Sequence, residues 1–144
     1  MIYKQSISVV VPIYNDSEVI HELIKRLSPV LESITADYEI ILVDDGSRDD
    51  SWLQMLAVRQ ANASIKAVRL SRNFGQQSAI AAGLSLTSKE LIVLMDSDLQ
   101  DRPEDIPTLI DALLADEKAT MAIAQWEERK DSRFKLAVSR LFQR

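Results

Sequence analysis

The sequence predicts an α/β fold: a mostly parallel sheet with helices on both faces. Three observations predict it. Short apolar runs alternate with longer segments whose apolar residues recur at helical spacing, in the order strand, helix, strand, helix. Two of the apolar runs stop abruptly in paired acids, Val43-Asp44-Asp45 and Met95-Asp96-Ser97-Asp98, as strands do when they feed loops at the edge where open α/β sheets place ligands. Finally, 144 residues at 47% hydrophobic and 27% charged content suit one domain with a buried core.

Strands are predicted at Ile7–Ile13, Glu39–Val43, Ala67–Leu70, Leu91–Met95 and Thr120–Ala124, each a compact apolar run. Between the first two, Ile20, Leu23, Ile24, Leu27, Leu31 and Ile34 mark one helix face. Asn15, Asp16 and Ser17 offer capping oxygens before it, and Pro29 predicts a kink or stop near Ser28. A second helix should run from Asp49–Ser51 to about Ala61. The alanine-rich segment Gln76–Leu86 reads as a third, with Ala79, Ala82 and Gly83 allowing close approach to the sheet. Pro103 suits the first turn of a fourth, ending near Leu114, and Phe134–Phe142 reads as a fifth. The chain stops in or just after this basic segment without a closing element, so it reads as part of something longer.

Composition narrows the function. A net charge of −5 and a pI near 4.9 argue against a general nucleic-acid binder. The tail is nonetheless basic (Arg129, Lys130, Arg133, Lys135, Arg140, Arg144), which suits either an anionic partner or membrane surface, or a solvated helix face. Cysteine is absent, which excludes disulfides, thiolate catalysis and zinc–thiolate sites and fits a cytosolic setting. No run is long enough for a transmembrane helix, and with three glycines there is neither a G-x-G-x-x-G nor a Walker A cradle.

Acids carry the chemistry. On a strand, residues two apart share a side, so Asp96 and Asp98 should face the same way. Two like charges that close repel unless a cation or donors lie between them. Capping explains one acid per turn, but not pairs after two hydrophobic strands. Function is therefore assigned to Asp44, Asp96 and Asp98, while Asp16 and Asp45 serve either purpose. Gln100 stands two residues past Asp98 and can line the same site. Asp101 and Glu104 are expected at the following helix N-terminus. Arg72 is a candidate phosphate or ribose contact, beside a turn that Gly75 permits. Such a carboxylate site suits Mg²⁺ or Mn²⁺ bridging a diphosphate, hence a nucleoside diphosphate or its sugar conjugate. A receiver-type signalling domain also pairs acids after one strand with an aspartate after a later one. It expects its acid pair after the first strand, however, and a lysine ending a late strand, where Gln125 and Trp126 stand here.

The blocks SVVVPIYND, EIILVDDGSRDDS, LSRNFGQQSAIAAGL and LIVLMDSDLQDRPEDIPTLI resemble, in order, the N-terminal part of glycosyltransferase family 2. The likeness runs from Ile7 to about Phe142 and is strongest to the polyprenyl-phosphate glycosyltransferases. It implies a Rossmann-like GT-A fold, a divalent metal on Asp96 and Asp98, and a UDP- or GDP-sugar donor. Carried over by motif, Pro12, Tyr14, Asp16 and Asp44 line the nucleotide pocket, with Asp45 and Arg72 beside them. Asp96 and Asp98 hold metal and diphosphate, and Gln100 stands near the donor sugar. Glutamate is commoner than aspartate at position 16. In AQWEERKDSRFKLAVSRLF, Arg129 and Arg133 are the candidates for an acceptor phosphate, with Trp126 where a first arginine is expected. The implied activity is an inverting sugar transfer to a polyprenyl phosphate at the cytoplasmic face of a membrane, with membrane elements beyond Arg144. The alternatives are a family 2 enzyme extending a surface polysaccharide and a nucleotide-binding module without turnover.

Overall fold

The computed structural model describes residues 3–124. They form β1 (Ile7–Ile13), α1 (Ile20–Ile34), β2 (Tyr38–Asp44), α2 (Ser51–Ala61), β3 (Ile65–Arg69), α3 (Gln76–Leu84), β4 (Leu91–Leu94) and α4 (Ile106–Leu114), the last entered through a 3-10 turn at Pro103–Asp105. Contacts divide the chain after Thr108, and the sheet, α1 to α3 and the cleft described below all belong to the first part. None of the described helices is long and apolar enough to cross a membrane.

All strand pairs are parallel, in the order β3-β2-β1-β4. β1 and β2 are central and carry near-continuous apolar runs buried on both faces. The first two crossovers step one way along the sheet and the third steps back past β1. With right-handed crossovers, α1 and α2 therefore cover one face and α3 the other. The α3 face is packed through Val10, Ile41, Val43 and Ala79. A Cβ on Gly83 would stand 2.4 Å from Val10 Cγ1, so only glycine lets α3 approach this closely.

Three expectations are corrected here. Pro29 neither stops nor ends α1, which runs unbroken through it. Loss of one helical hydrogen bond falls on the exposed side, whereas Ile20, Leu23, Leu27, Leu31 and Ile34 hold both halves against the core. Thr120–Ala124 is not a strand, since residues 121–124 have no regular structure and Met121 and Ile123 are exposed. An apolar run becomes a strand only where a ladder takes up its backbone groups, and among the described residues this one has none. Asn15, Asp16 and Ser17 do not cap α1, whose first residues receive no side-chain bond. The segment Phe134–Phe142 lies outside the described residues.

The amino edge of the sheet carries a closed polar cluster. Glu39 is buried and accepts from Ser8 Oγ (2.6 Å), Ser88 N (2.8 Å) and Ser88 Oγ (3.1 Å), and it pairs with Lys66 Nζ at 2.6 Å. Burial pushes its carboxyl up, but the Lys66 ammonium and the serine donors together hold it at about 2.

Candidate functional site

The opposite edge is built differently. Here the loops after β1 and β2 are bonded to each other. Asn15 N donates to Ser47 Oγ (2.9 Å), Arg48 N to Asn15 Oδ1 (2.9 Å), and Asp16 N to Ser51 Oγ (2.9 Å). Asn15 adopts a left-handed φ of 55°, which asparagine tolerates better than most residues. Gly46, at φ 70°, lies directly beneath the loop after β3: a Cβ there would stand 2.5 Å from the Arg72 carbonyl carbon.

Asp45 fixes that overlying loop. Its carboxylate is buried and accepts from Phe74 N (2.8 Å) and Gly75 N (2.9 Å), so α3 starts where Asp45 places it. Gln76, the first residue of α3, then donates from Nε2 to Asp96 Oδ1 at 2.8 Å. Beyond β4, Asp96 N donates to Asp101 Oδ2 (3.0 Å) and Gln100 N to Asp98 Oδ1 (3.0 Å). The buried Ser97 hydroxyl donates to Asp16 Oδ2 and so ties the β4 turn to the β1 loop. Leu99, an apolar residue at φ 64°, completes this turn. A left-handed leucine is strained, and such strain persists only where the surroundings impose it.

These contacts enclose an open cavity of about 400 Å³ lined by Pro12, Ile13, Tyr14, Asp16, Asp45, Asn73, Gly75, Gln76, Asp96, Ser97 and Asp98. It lies at the carboxyl ends of β1 and β4, where the strand order reverses, the usual ligand crevice of open α/β sheets. Of the residues singled out from the sequence, the cavity gathers Pro12, Tyr14, Asp16, Asp45, Asp96 and Asp98. Asp44, Arg72 and Gln100 are not in its lining. Asp44 is fully buried: Oδ1 accepts from Ser47 N (2.8 Å), and Oδ2 forms an ion pair with Arg69 Nε (2.9 Å) without a well-aligned hydrogen bond. Arg72 is exposed and stacks its guanidinium over Phe74, 4.1 Å from the ring centre. Gln100 is exposed on the turn that follows. Arg129 and Arg133 lie outside the described residues.

Glu104 stands in the first turn of the following segment, as expected, and Asp101 just before it, although no side chain caps that turn. Asp101 holds Asp96 N, and Glu104 takes a two-pronged bond from Arg26 (2.9 and 2.6 Å). The strand pleat does not place the Asp96–Asp98 pair. β4 ends at Leu94, and Ser97 lines the cavity beside both acids. Sequence reasoning missed Asn73, Gln76 and Ser97. Gln76 had one legible signal: it opens a helix immediately after a glycine.

Asp96 stands in an environment hostile to its charge. Asp96 is exposed on its turn, yet partial desolvation, then Asp101 and Asp98, and more weakly Asp16, push its carboxyl up, while the Gln76 amide opposes them. This is the chemistry of a cation site. Among the described residues no three His, Asp or Glu side chains gather closely enough to hold a metal alone. Asp96 and Asp98 supply two hard oxygen donors. Mg²⁺ is typically bound by one or two carboxylates, completed by substrate phosphates and water, so the residues present fit such an ion.

The parallel sheet, its switch-point crevice and the carboxylates gathered there define a Rossmann-like nucleotide-binding class of domain. More particularly, the chain belongs to Glycosyl transferase family 2, whose sequence pattern matches residues 8–143. The fold is GT-A and is shared with solved structures. The mannosyltransferase PcManGT from Pyrobaculum calidifontis, solved with GDP-Man and Mn²⁺, superposes with a TM-score of 0.67 at 21% identity, over 80% of this chain and 34% of that one. Glucosyl-3-phosphoglycerate synthase from Mycobacterium tuberculosis, solved with UDP, gives 0.63 at 28% identity, over 79% and 42%. TarS from S. aureus (residues 1–349) gives 0.57 at 27%, over 76% and 33%. The chain thus spans between a third and about two fifths of these proteins.

Proposed function

We propose that this chain is the donor-binding part of a metal-dependent glycosyltransferase that moves a sugar from a UDP- or GDP-sugar to a polyprenyl phosphate at the cytoplasmic face of a membrane. One observation carries the donor half of this reading: Asp16, Asp45, Asp96 and Asp98 converge from three loops on a single cavity at the switch point. Solved neighbours hold GDP-Man, UDP or UDP-GlcNAc, which supports a nucleotide-sugar donor. The polyprenyl acceptor is supported by the motif blocks and by the basic segment from Arg129.

Each part of the cleft has a task in this reading. Asp96 and Asp98 hold Mg²⁺ or Mn²⁺. The bound ion neutralises charge on the departing diphosphate. Pro12 and Tyr14 form the wall along the nucleotide. Asp45 works indirectly, by fixing the Asn73–Gly75 backbone that closes the other side. Asp16 has one oxygen taken by Ser97, so it sets the spacing between the β1 loop and the β4 turn. A phosphate acceptor is already ionised near neutral pH and needs no general base, whereas a sugar hydroxyl does. Arg129 and Arg133 are the groups proposed to hold that phosphate, by two-pronged contacts.

The test is transfer of labelled sugar from UDP- and GDP-sugars with Mn²⁺, comparing polyprenyl phosphate with oligosaccharide acceptors. Label in the lipid fraction supports the reading. Label only in saccharide transfers the assignment to polysaccharide extension, and nucleotide binding without any transfer reduces it to a binding module.

A further inference from the structure

We propose that Gln76 is a positioning residue for Asp96, setting the carboxylate that binds the metal; this rests on the donor-cleft reading above. Gln76 Nε2 donates to Asp96 Oδ1 at 2.8 Å, and no other side-chain donor within hydrogen-bond distance of this carboxylate is present among the described residues. The main chain of Asp96 is already fixed through its N–H to Asp101 Oδ2. What stays undetermined is the side-chain torsion. With Asp98 and Asp101 on the same turn, repulsion alone would rotate the group out of the cavity. The Gln76 amide takes Oδ1 of a residue that lines the cleft and leaves Oδ2 without a side-chain donor among the described residues.

Three features suit Gln76 to this task. Its position is set by the scaffold: Asp45 holds Gly75 N and Phe74 N, Gly75 turns at φ 95°, and α3 is seated on the sheet at Gly83. An amide also donates without carrying charge, so it steadies the carboxylate without cancelling the negative field that attracts a cation. A lysine or arginine there would compete with the ion. Finally, Gln76 links two loops of the site, because the Asp45 contact that shapes the nucleotide side is transmitted through one residue to the metal side. Outer partners of this kind orient metal ligands, and their loss typically weakens metal binding by about 10–100-fold.

The test is Mn²⁺ affinity, read from the electron paramagnetic resonance of free Mn²⁺ with UDP and, in parallel, GDP. The proteins are the unaltered chain and the Gln76→Ala, Gln76→Asn, Gln77→Ala and Asp96→Ala variants, with metal-free melting measured on each. Asparagine keeps the amide but is one methylene short of Asp96. Expected is a loss of about 10–100-fold in both Gln76 variants with metal-free melting retained, no change in Gln77→Ala, and no binding in Asp96→Ala. Unchanged affinity in the Gln76 variants, with binding abolished in Asp96→Ala, overturns this proposal and leaves the donor cleft standing. So does an equal loss in Gln77→Ala or a matching fall in metal-free melting. Full binding by Asp96→Ala overturns the donor cleft itself.

Discussion

Glu39 and Asp96, at opposite edges of one sheet, are held in opposite ways. At the amino edge, Glu39 is buried, yet Ser8, Ser88 and Lys66 satisfy it from within the chain, and its carboxyl is held at about 2. At the carboxyl edge, Asp96 has one amide donor among several carboxylates, and its carboxyl is pushed up by partial desolvation and by Asp101 and Asp98. A satisfied acid stabilises the fold and has nothing left to offer a ligand. Acids that keep spare oxygens in a cleft mark a candidate site for a ligand.

The sharpest way to break this contrast is to remove the cleft acids. Asp96→Ala or Asp98→Ala is expected to abolish Mn²⁺-dependent binding of UDP or GDP by calorimetry while the protein stays folded. Unchanged affinity in both variants would remove the site from this edge.

Glu39→Ala should do the reverse. It leaves Ser88 N without its acceptor and is expected to destabilise by about 1–3 kcal/mol in urea unfolding, the half-exposed Lys66 limiting the loss, with nucleotide affinity retained. The pH dependence follows from the same group. Its folded value of about 2 lies below the ordinary 4.5, so its contribution is complete above 4.5 and is lost as pH falls towards 2. Acid unfolding of Glu39→Gln should lack that segment of the pH curve.

Gly46→Ala joins the two effects, since the added methyl meets the Arg72 backbone at 2.5 Å and the site is left-handed. A cost of about 1–3 kcal/mol is expected, together with weaker nucleotide binding as the loop after β3 shifts. A stability loss without any change in binding would separate that loop from the cleft.

The smallest effect is the most diagnostic in sign. Asp96 has a raised carboxyl pKa, so its ionised form is disfavoured in the folded state at neutral pH and the penalty fades as pH falls through its titration. Asp96→Asn should therefore raise metal-free stability slightly, by about 0.5 kcal/mol or less, while metal binding is lost. A loss of stability would mean that the charge is satisfied within the chain after all.

Much of this was legible in the sequence. Strand and helix order from β1 to α4 follows from apolar spacing, and the acids that end β2 and follow β4 mark the functional edge. What was not legible is tertiary. Capping by Asp16, Asp45 and Asp101 is a sound local expectation, but each side chain finds a partner far away or across a turn: Ser97, the Phe74–Gly75 backbone, and Asp96 N. Asp44 and Asp45 look equivalent in sequence. Asp44 closes β2 and pairs with Arg69 on β3, whereas Asp45, just past the strand end, lines the cleft. Pro29 predicts a kink or a stop, and that α1 does not stop there depends on its exposed position and on the burial of the opposite stripe in the assembled core.

The most direct test of the contrast between the edges is paramagnetic broadening of amide resonances by Mn²⁺ in the presence of UDP or GDP. Signals of Asp16, Gly75, Ser97 and Asp98 should broaden first, while Ser8, Glu39, Lys66 and Ser88, at the far end of the same strands, stay sharp. Broadening centred on the amino edge, or spread evenly over both, would contradict the assignment.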